Sequence, residues 1–271
     1  MPHNKFKPID LAFLRDHFRV VTEPVDGQHV VNDLLDEAYL SDVIAEIKPS
    51  FATDRDFVVG SQLMKRLGYL LIVPALYSFS TERVAMPLDW SRVALVSKMN
   101  GELWLPELYV ADDVGYDCAE DLAASREPFF DQLFRQLASL VQAVSNVSNV
   151  PRPILWENVM VYVYWMYETV VNWHHDEATV NQFHDDFNVL IHQLSPDVFG
   201  ERFNPIKRFY NGYHYIEPEQ TFRRVRTTCC FNYEASSEGK YCKGCPKLEV
   251  NKEACRATRE TMRQQSNSYS T

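Results

Sequence analysis

The stretch Arg226-Thr227-Thr228-Cys229-Cys230, answered after a gap by Tyr241-Cys242-Lys243-Gly244-Cys245-Pro246, organises the reading of this chain. It holds four of the six cysteines, in the spacing C-C-x11-C-x2-C-P. A thiolate is a soft, strong ligand for iron or zinc. Four converging thiolates complete either a tetrahedral zinc site or the protein ligation of a 2Fe–2S cluster. The two-residue spacer between Cys242 and Cys245 lets one turn present both sulfurs. The adjacent pair Cys229-Cys230 is less usual, because neighbouring side chains of an extended chain point to opposite faces. Two adjacent ligands therefore require a local turn. A structural zinc ribbon repeats the C-x2-C knuckle instead, so the pair speaks against zinc, and more clearly against an accidental cluster. Neither common ferredoxin spacing fits.

The motif and its surroundings resemble the FhuF-type ferric-siderophore reductases. These end in Cys-Cys, a gap of about ten residues and Cys-x-x-Cys, and the motif holds a 2Fe–2S cluster. The local context Arg226 to Cys230, Tyr233 and Tyr241 to Pro246 is similar, and Gly60-Ser61-Gln62 through Leu76-Tyr77 looks like a helix of that family. The departure is a gap of eleven residues. The extra residue falls in the polar loop Glu234–Lys240, where it is expected to lengthen a turn without moving a ligand. The resemblance implies a 2Fe–2S cluster on Cys229, Cys230, Cys242 and Cys245. It implies an oxidoreductase that passes one electron to Fe(III) in a siderophore, of the hydroxamate type, and releases Fe(II). Hard oxygen donors hold Fe(III) tightly and the larger, less charged Fe(II) far more weakly, so one electron frees the metal and no general acid or base is required.

Bulk composition narrows the alternatives. The chain has 271 residues, 46% of them apolar, enough for one large domain or two modest ones. Its net charge of −10 argues against a general nucleic-acid binder. No secretory signal is visible, since Asp10, Arg15 and Asp16 stand where an apolar h-region belongs. Clustered free cysteines suit a reducing cytoplasm, with at most peripheral association at the inner membrane. The twenty residues Ile154 to Trp173 are mostly apolar but contain Glu157 and Glu168. A carboxylate near a bilayer centre costs about 2–4 kcal/mol, so this stretch reads as a buried core helix. Cys118 reads as a small packing residue, and Cys255, ten residues past Cys245, is the alternative ligand.

Outward from the motif, the periodicity predicts an α+β chain: a small antiparallel β-meander flanked by helices, a helical half, and a C-terminal iron–sulfur binding segment. Helices are expected over 9–19, 33–47, 58–77 (with Pro74 kinking the last turn), 129–144, 154–173 and 177–194. Strands are expected over 81–86, 93–99 and 102–110, with Asn100-Gly101 as a type I′ hairpin turn. Residues 111–127 read as an acidic, solvated loop, and 200–220 carry no assignable pattern. The predicted division is a body over 1–215, a cluster-binding segment over 216–256, and a polar tail over 257–271.

Other constellations are weaker. His184, Asn188 and His192 share a helix face, but no H-E-x-x-H or E-x-x-H pairing accompanies them, so the reading is a solvated face with Phe183, Phe187, Leu190 and Leu194 turned to the core. The aromatics from Trp156 to Trp173 read as core. No G-x-G-x-x-G, P-loop or G-x-S-x-G occurs, so electrons must come from a separate donor (a ferredoxin, flavodoxin or reductase). Between Arg202 and Thr228 six basic residues face two acidic ones, a local +4 that leaves −14 on the rest. The bland reading is surface ion pairs. The functional one is a positive rim beside the cysteines in which Arg223, Arg224 and Arg226 bind substrate, Arg224 and Arg226 on one face and Arg223 opposite. Two readings from other classes remain: a zinc-binding structural or interaction module with no redox role, and a protein related to siderophore-biosynthesis synthetases.

Overall fold

The computed structural model describes residues 5–216 and 219–248. The fold is α+β, with a helical core and small sheets along one flank. At the N-terminus β1 (Phe6–Pro8), α1 (Leu11–Phe18), β2 (Val20–Val21) and β3 (His29–Val30) precede a 3-10 turn and α2 (Glu37–Ile47). The expected helix over 33–47 is interrupted because the Asp36 side chain accepts from the Tyr39 backbone N–H and caps a new helix. The long α3 (Asp56–Glu82) follows, then β4 (Val84–Ala85), β5 (Val93–Val96), β6 (Met99–Asn100), β7 (Leu103–Trp104), β8 (Glu107–Val110) and β9 (Val114–Asp117). The second half holds α4 (Leu122–Ser148), α5 (Arg152–Glu168), α6 (Glu177–His192), the short α7 (Pro205–Arg208), β10 (Tyr213–Ile216) and β11 (Thr221–Arg224).

Helix α3 is the axle of the fold and packs on α1, α2, α4, α5 and α6. Its apolar residues occur all around the helix, as a fully enclosed helix requires. Contact with α5 is close because position 68 is glycine: a Cβ there would lie 2.8 Å from Val159 Cγ2. On α5, Leu155, Trp156, Val159, Met160 and Val163 are fully buried, each contributing about 1.5–3 kcal/mol. This is the buried core helix that the sequence predicts, ending at Glu168 with a 3-10 turn over Val170–Trp173. Among the described residues, no helix is long and apolar enough to cross a membrane.

The β structure is more divided than a single meander. One sheet runs β1-β9-β4 and a second β2-β8-β5-β3, in which the β2–β8 pairing is parallel. The hairpin β6–β7 extends beyond β5–β8, and Pro106, lacking an N–H, stands where the ladder breaks. The turn at its tip is Gly101-Glu102, with Gly101 alone at φ +60. Asn100 pairs with Leu103 as a strand residue, so the expected I′ turn, with positive φ at Asn100 and Gly101, does not form. Thr81 and Glu82 belong to α3, which runs through Pro74 and is closed by Arg83 at φ 58, its N–H returning to Phe79 O. Only Val84–Ala85 of the expected strand 81–86 remains. The acidic stretch 111–127 is not a loop. It contains β9, and Asp121 caps an α4 that begins seven residues before the expected Phe129.

The predicted boundary at 215/216 falls inside β10, and the cysteine-bearing stretch that follows packs on α3 and α5. Cys255 and the tail lie outside the described residues.

Candidate functional site

The site begins with polar residues in two otherwise apolar helices. Glu157 and Asn158 on α5 are buried, as are Ser61 and Gln62 on α3. Buried polar groups need partners, and here the partner is the chain around Cys229-Cys230. The Glu157 carboxylate accepts the backbone N–H of Thr227 and of Thr228, each at 2.7 Å, and the Thr228 hydroxyl. Gln62 Nε2 donates to the Cys230 carbonyl at 2.6 Å and Ser61 Oγ at 3.1 Å. Asn158 Nδ2 in turn donates to Ser61 O and Oγ, both at 2.9 Å, and Asn158 Oδ1 accepts from Arg226 Nη2 at 2.6 Å. Behind Gln62, Arg66 Nη1 donates to Gln62 Oε1 at 2.8 Å, which sets the direction of that amide. Helix residues separated from the cysteines by more than sixty positions therefore fix the backbone that presents them.

The local turn demanded by two adjacent cysteines is present. Phe231 takes the left-handed conformation at φ 57, its N–H points to Cys229 Sγ at 3.4 Å, and its ring meets Phe57 edge-on at 5.0 Å. A bulky residue at positive φ is costly and persists only when packing over-determines it. On the other arm, Cys245 N–H bonds Cys242 O at 3.0 Å, the turn expected of the two-residue spacer. Gly244 lets this turn lie against the strand that leaves β11: its carbonyl accepts from Arg226 N at 2.9 Å, and a Cβ on it would stand 2.9 Å from Arg224 O. The two arms meet where Cys230 Sγ and Cys242 Sγ share a hydrogen bond of 3.4 Å. That bond, against burial and with Lys65 and Arg226 assisting, holds the Cys230 thiol well below its ordinary value, while it pushes Cys242 up. Burial raises the Cys229 thiol, whose neighbours include Cys230 and Cys245. Cys230 and Cys245 are buried, and Cys229 and Cys242 half-buried.

These thiols suit a 2Fe–2S cluster in donor chemistry. The Cys230–Cys242 separation is close to the edge, about 3.8 Å, of a tetrahedron with metal–sulfur bonds of about 2.3 Å. Lys65 and Arg226 set positive charge beside an anionic site. Among the described residues, no three His, Cys, Asp or Glu side chains are grouped so as to hold a metal ion.

Against this corner opens a cavity of about 520 Å³, within the range of small-molecule sites. Cys242 and Gly244 form part of its wall, together with Lys65, Arg223, Arg224, Arg226 and the aromatics Tyr69, Tyr162, Tyr164, Trp165, Tyr213 and Phe222. The three arginines thus line one cavity; Arg223 and Arg224 are neighbours in β11, which ends at Arg224, so strand alternation does not extend to Arg226. Their charges are compensated. Arg224 pairs with Glu168, which also accepts from Tyr210 and Tyr213 at 2.8 and 3.0 Å, and the guanidinium lies over the rings of Tyr210 (4.3 Å) and Tyr213 (4.9 Å). Burial, then Glu168, pushes Tyr210 up to about 12, so it remains a donor at neutral pH. Arg226 pairs with Glu157 at 3.7 Å and Arg223 with Glu219. Among the described residues Lys65 has no carboxylate partner. Burial lowers its pKa, and the Cys230 and Cys242 thiols oppose that shift.

Elsewhere the bland readings stand. His184, Asn188 and His192 are exposed while Phe183, Leu190 and Leu194 are buried, with Phe187 partly so. Cys118 is buried, its thiol 3.6 Å from Tyr116 O. The aromatics of α5 divide: Trp156 is core, whereas Tyr162, Tyr164 and Trp165 face the cavity. Glu157, Asn158 and Glu168 stood out in the sequence only as interruptions of an apolar run, which was the available signal for their role. No protein-family model matches this chain, and no curated protein matches it.

Proposed function

We propose that this chain is an oxidoreductase that passes one electron to Fe(III) in a siderophore and releases Fe(II), using a 2Fe–2S cluster held by Cys229, Cys230, Cys242 and Cys245. The observation that carries this reading is the sharing of a wall: Cys242, a thiol of the motif, also lines the 520 Å³ cavity. A chelate seated there is in contact with the shell of the redox centre, with no protein layer between.

When bound, the cluster supplies one electron at a time. The chain's own residues supply the rest. Tyr162, Trp165 and Phe222 give the cavity an apolar wall, against which a seated chelate sheds water and its electrostatic interactions strengthen. Lys65 favours the more negative, reduced state on either side of it. The Glu157 and Gln62 hydrogen bonds fix the backbone on either side of Cys229-Cys230, the two adjacent ligands of the proposed site. The absence of nucleotide or flavin motifs leaves electron supply to a separate carrier protein, and the reading places the chain in a reducing compartment. The FhuF-type resemblance adds its own implication, a hydroxamate chelate.

Anaerobic purification tests this directly. The expected product is red-brown, contains about two irons per chain, bleaches with dithionite, and converts a ferric siderophore to Fe(II) trapped by a ferrous-specific dye. Replacing any of the four cysteines by Ser is expected to empty the site, and Cys118→Ser to leave it filled. A colourless protein carrying zinc overturns the reading.

A further inference from the structure

Resting on that reading, we propose that the cavity beside Cys242 is built for an anionic, aromatic ferric chelate of the catecholate class and not for a neutral one.

Two features point the same way. The first is the wall. Tyr69, Tyr162, Trp165, Tyr213 and Phe222 line it, and an aromatic wall suits aromatic rings. The second is the charge balance. Each arginine of the cavity has a carboxylate of its own: Glu168 for Arg224, Glu157 for Arg226, Glu219 for Arg223. Lys65 and Lys243 are the cationic lining residues without one among the described residues. Lys243 is exposed and solvated. Lys65 is half-buried beside Cys230 and Cys242, and a half-buried ammonium with no carboxylate of its own favours a negative group on its cavity side. A neutral tris-hydroxamate complex of Fe(III) brings none. A tris-catecholate complex is triply negative and aromatic, and it meets both features.

The chemistry gains as well. One electron from the carrier converts Fe(III) to Fe(II) and makes the bound complex more negative by one charge. A fixed ammonium stabilises that product more than the starting complex, so it raises the potential of a chelate that otherwise resists reduction. The catecholate oxygens released by the weakly held Fe(II) then take protons from solvent.

Gallium(III) has the charge and nearly the size of Fe(III) but is not reduced, so binding can be separated from turnover. Equilibrium dialysis of the as-purified protein would compare the gallium complex of a hexadentate tricatecholate with that of a hexadentate trihydroxamate. The anionic complex is expected to be retained about tenfold more tightly or better, a factor typical of one charge-assisted contact. Lys65→Met should remove most of that preference and Lys65→Arg restore it, with little change for the neutral complex. Lys243→Gln, at an exposed position that does not threaten folding, should give a smaller loss that disappears at high salt. Equal or tighter retention of the neutral complex overturns the proposal. So does a Lys65→Met variant that alters the visible spectrum while leaving anion affinity unchanged, since Lys65 then serves the cysteines alone. Retention of neither complex overturns it too. Colour and iron content of the same preparation separate these failures from failure of the reductase reading: a red-brown protein that reduces a neutral ferric chelate keeps the reading and loses only the substrate class.

Discussion

Two buried carboxylates, Asp186 and Glu157, hold this molecule in different ways. Asp186 on α6 is met by Arg83 at 2.7 Å, Arg126 at 3.3 Å and Ser80 Oγ at 2.8 Å, and so ties α6 to the end of α3 and to α4. All its partners are side chains. Glu157 on α5 is met by one guanidinium and the Thr228 hydroxyl, and its two other bonds go to the backbone N–H groups of Thr227 and Thr228. The first arrangement joins helices already packed by their apolar faces. The second fixes a segment that has no ladder of its own, immediately before two cysteines. A buried ion pair among side chains serves the whole fold, whereas a buried carboxylate that accepts from backbone donors marks a place where backbone position matters.

Breaking each carboxylate should separate the two roles. Asp186→Asn leaves two guanidiniums facing an amide, and removing one partner of a buried pair costs about 3–5 kcal/mol. Urea unfolding should show that loss, with cysteine labelling rising only as the whole chain opens. Glu157→Gln replaces an acceptor oxygen with a donor and orphans at least one backbone N–H, for a loss of about 1–3 kcal/mol. Its signature should be local: faster hydrogen exchange at Thr227 and Thr228 and faster labelling of Cys229 below the unfolding transition. If the two variants show the same pattern of exchange, the distinction between them is lost.

Gly244→Ala sharpens the same point on the other arm. A Cβ 2.9 Å from Arg224 O forces the Cys242–Cys245 turn away from its strand by a few tenths of an ångström. Small overpacking of this kind costs about 1 kcal/mol. The expected result is a modest drop in stability with a larger change in Cys242 labelling. A normal labelling rate would show that the turn does not depend on the close approach.

Much of the fold was legible because its signals are long. The apolar runs of α3 and α5 and the exposed histidine face of α6 follow directly from helical periodicity. The strands β1 to β3 were not, since two or three residues cannot display a two-residue period, and their pairing is decided by distant partners such as β9 for β1. The end of α3 was expected at Tyr77, with Pro74 kinking the last turn, but the helix runs on to Glu82 because packing on five neighbours outweighs one lost hydrogen bond. At the site, the spacing of the cysteines conveyed the turn that Phe231 makes at positive φ. It did not convey Glu157, Asn158 or Gln62, whose roles arise from a contact between residues far apart in the chain. The charge excess around Arg223, Arg224 and Arg226 was visible, but its neutralisation was not, because Glu157 and Glu168 lie in an apolar helix whose face toward the cysteines is set by tertiary packing.

The smallest expected effect concerns Arg223 and tests how far that neutralisation differs along one short segment. The Arg223–Glu219 pair has side chains 30% and 36% exposed, against 15% and 20% for Arg224–Glu168. Exposed pairs contribute about 0–1 kcal/mol and are screened by salt. Arg223→Gln should therefore cost less than about 0.5 kcal/mol, and the loss should vanish at high ionic strength. Arg224→Gln removes a guanidinium stacked on two tyrosines and leaves Glu168 with only their hydroxyls, so its cost, about 1 kcal/mol, should persist in salt. Urea melts of both variants at low and high ionic strength decide the matter. Equal losses that both disappear in salt would reduce Arg223 and Arg224 to surface ion pairs, and would leave Lys65 and the buried Arg226 as the cavity's distinguishing charges.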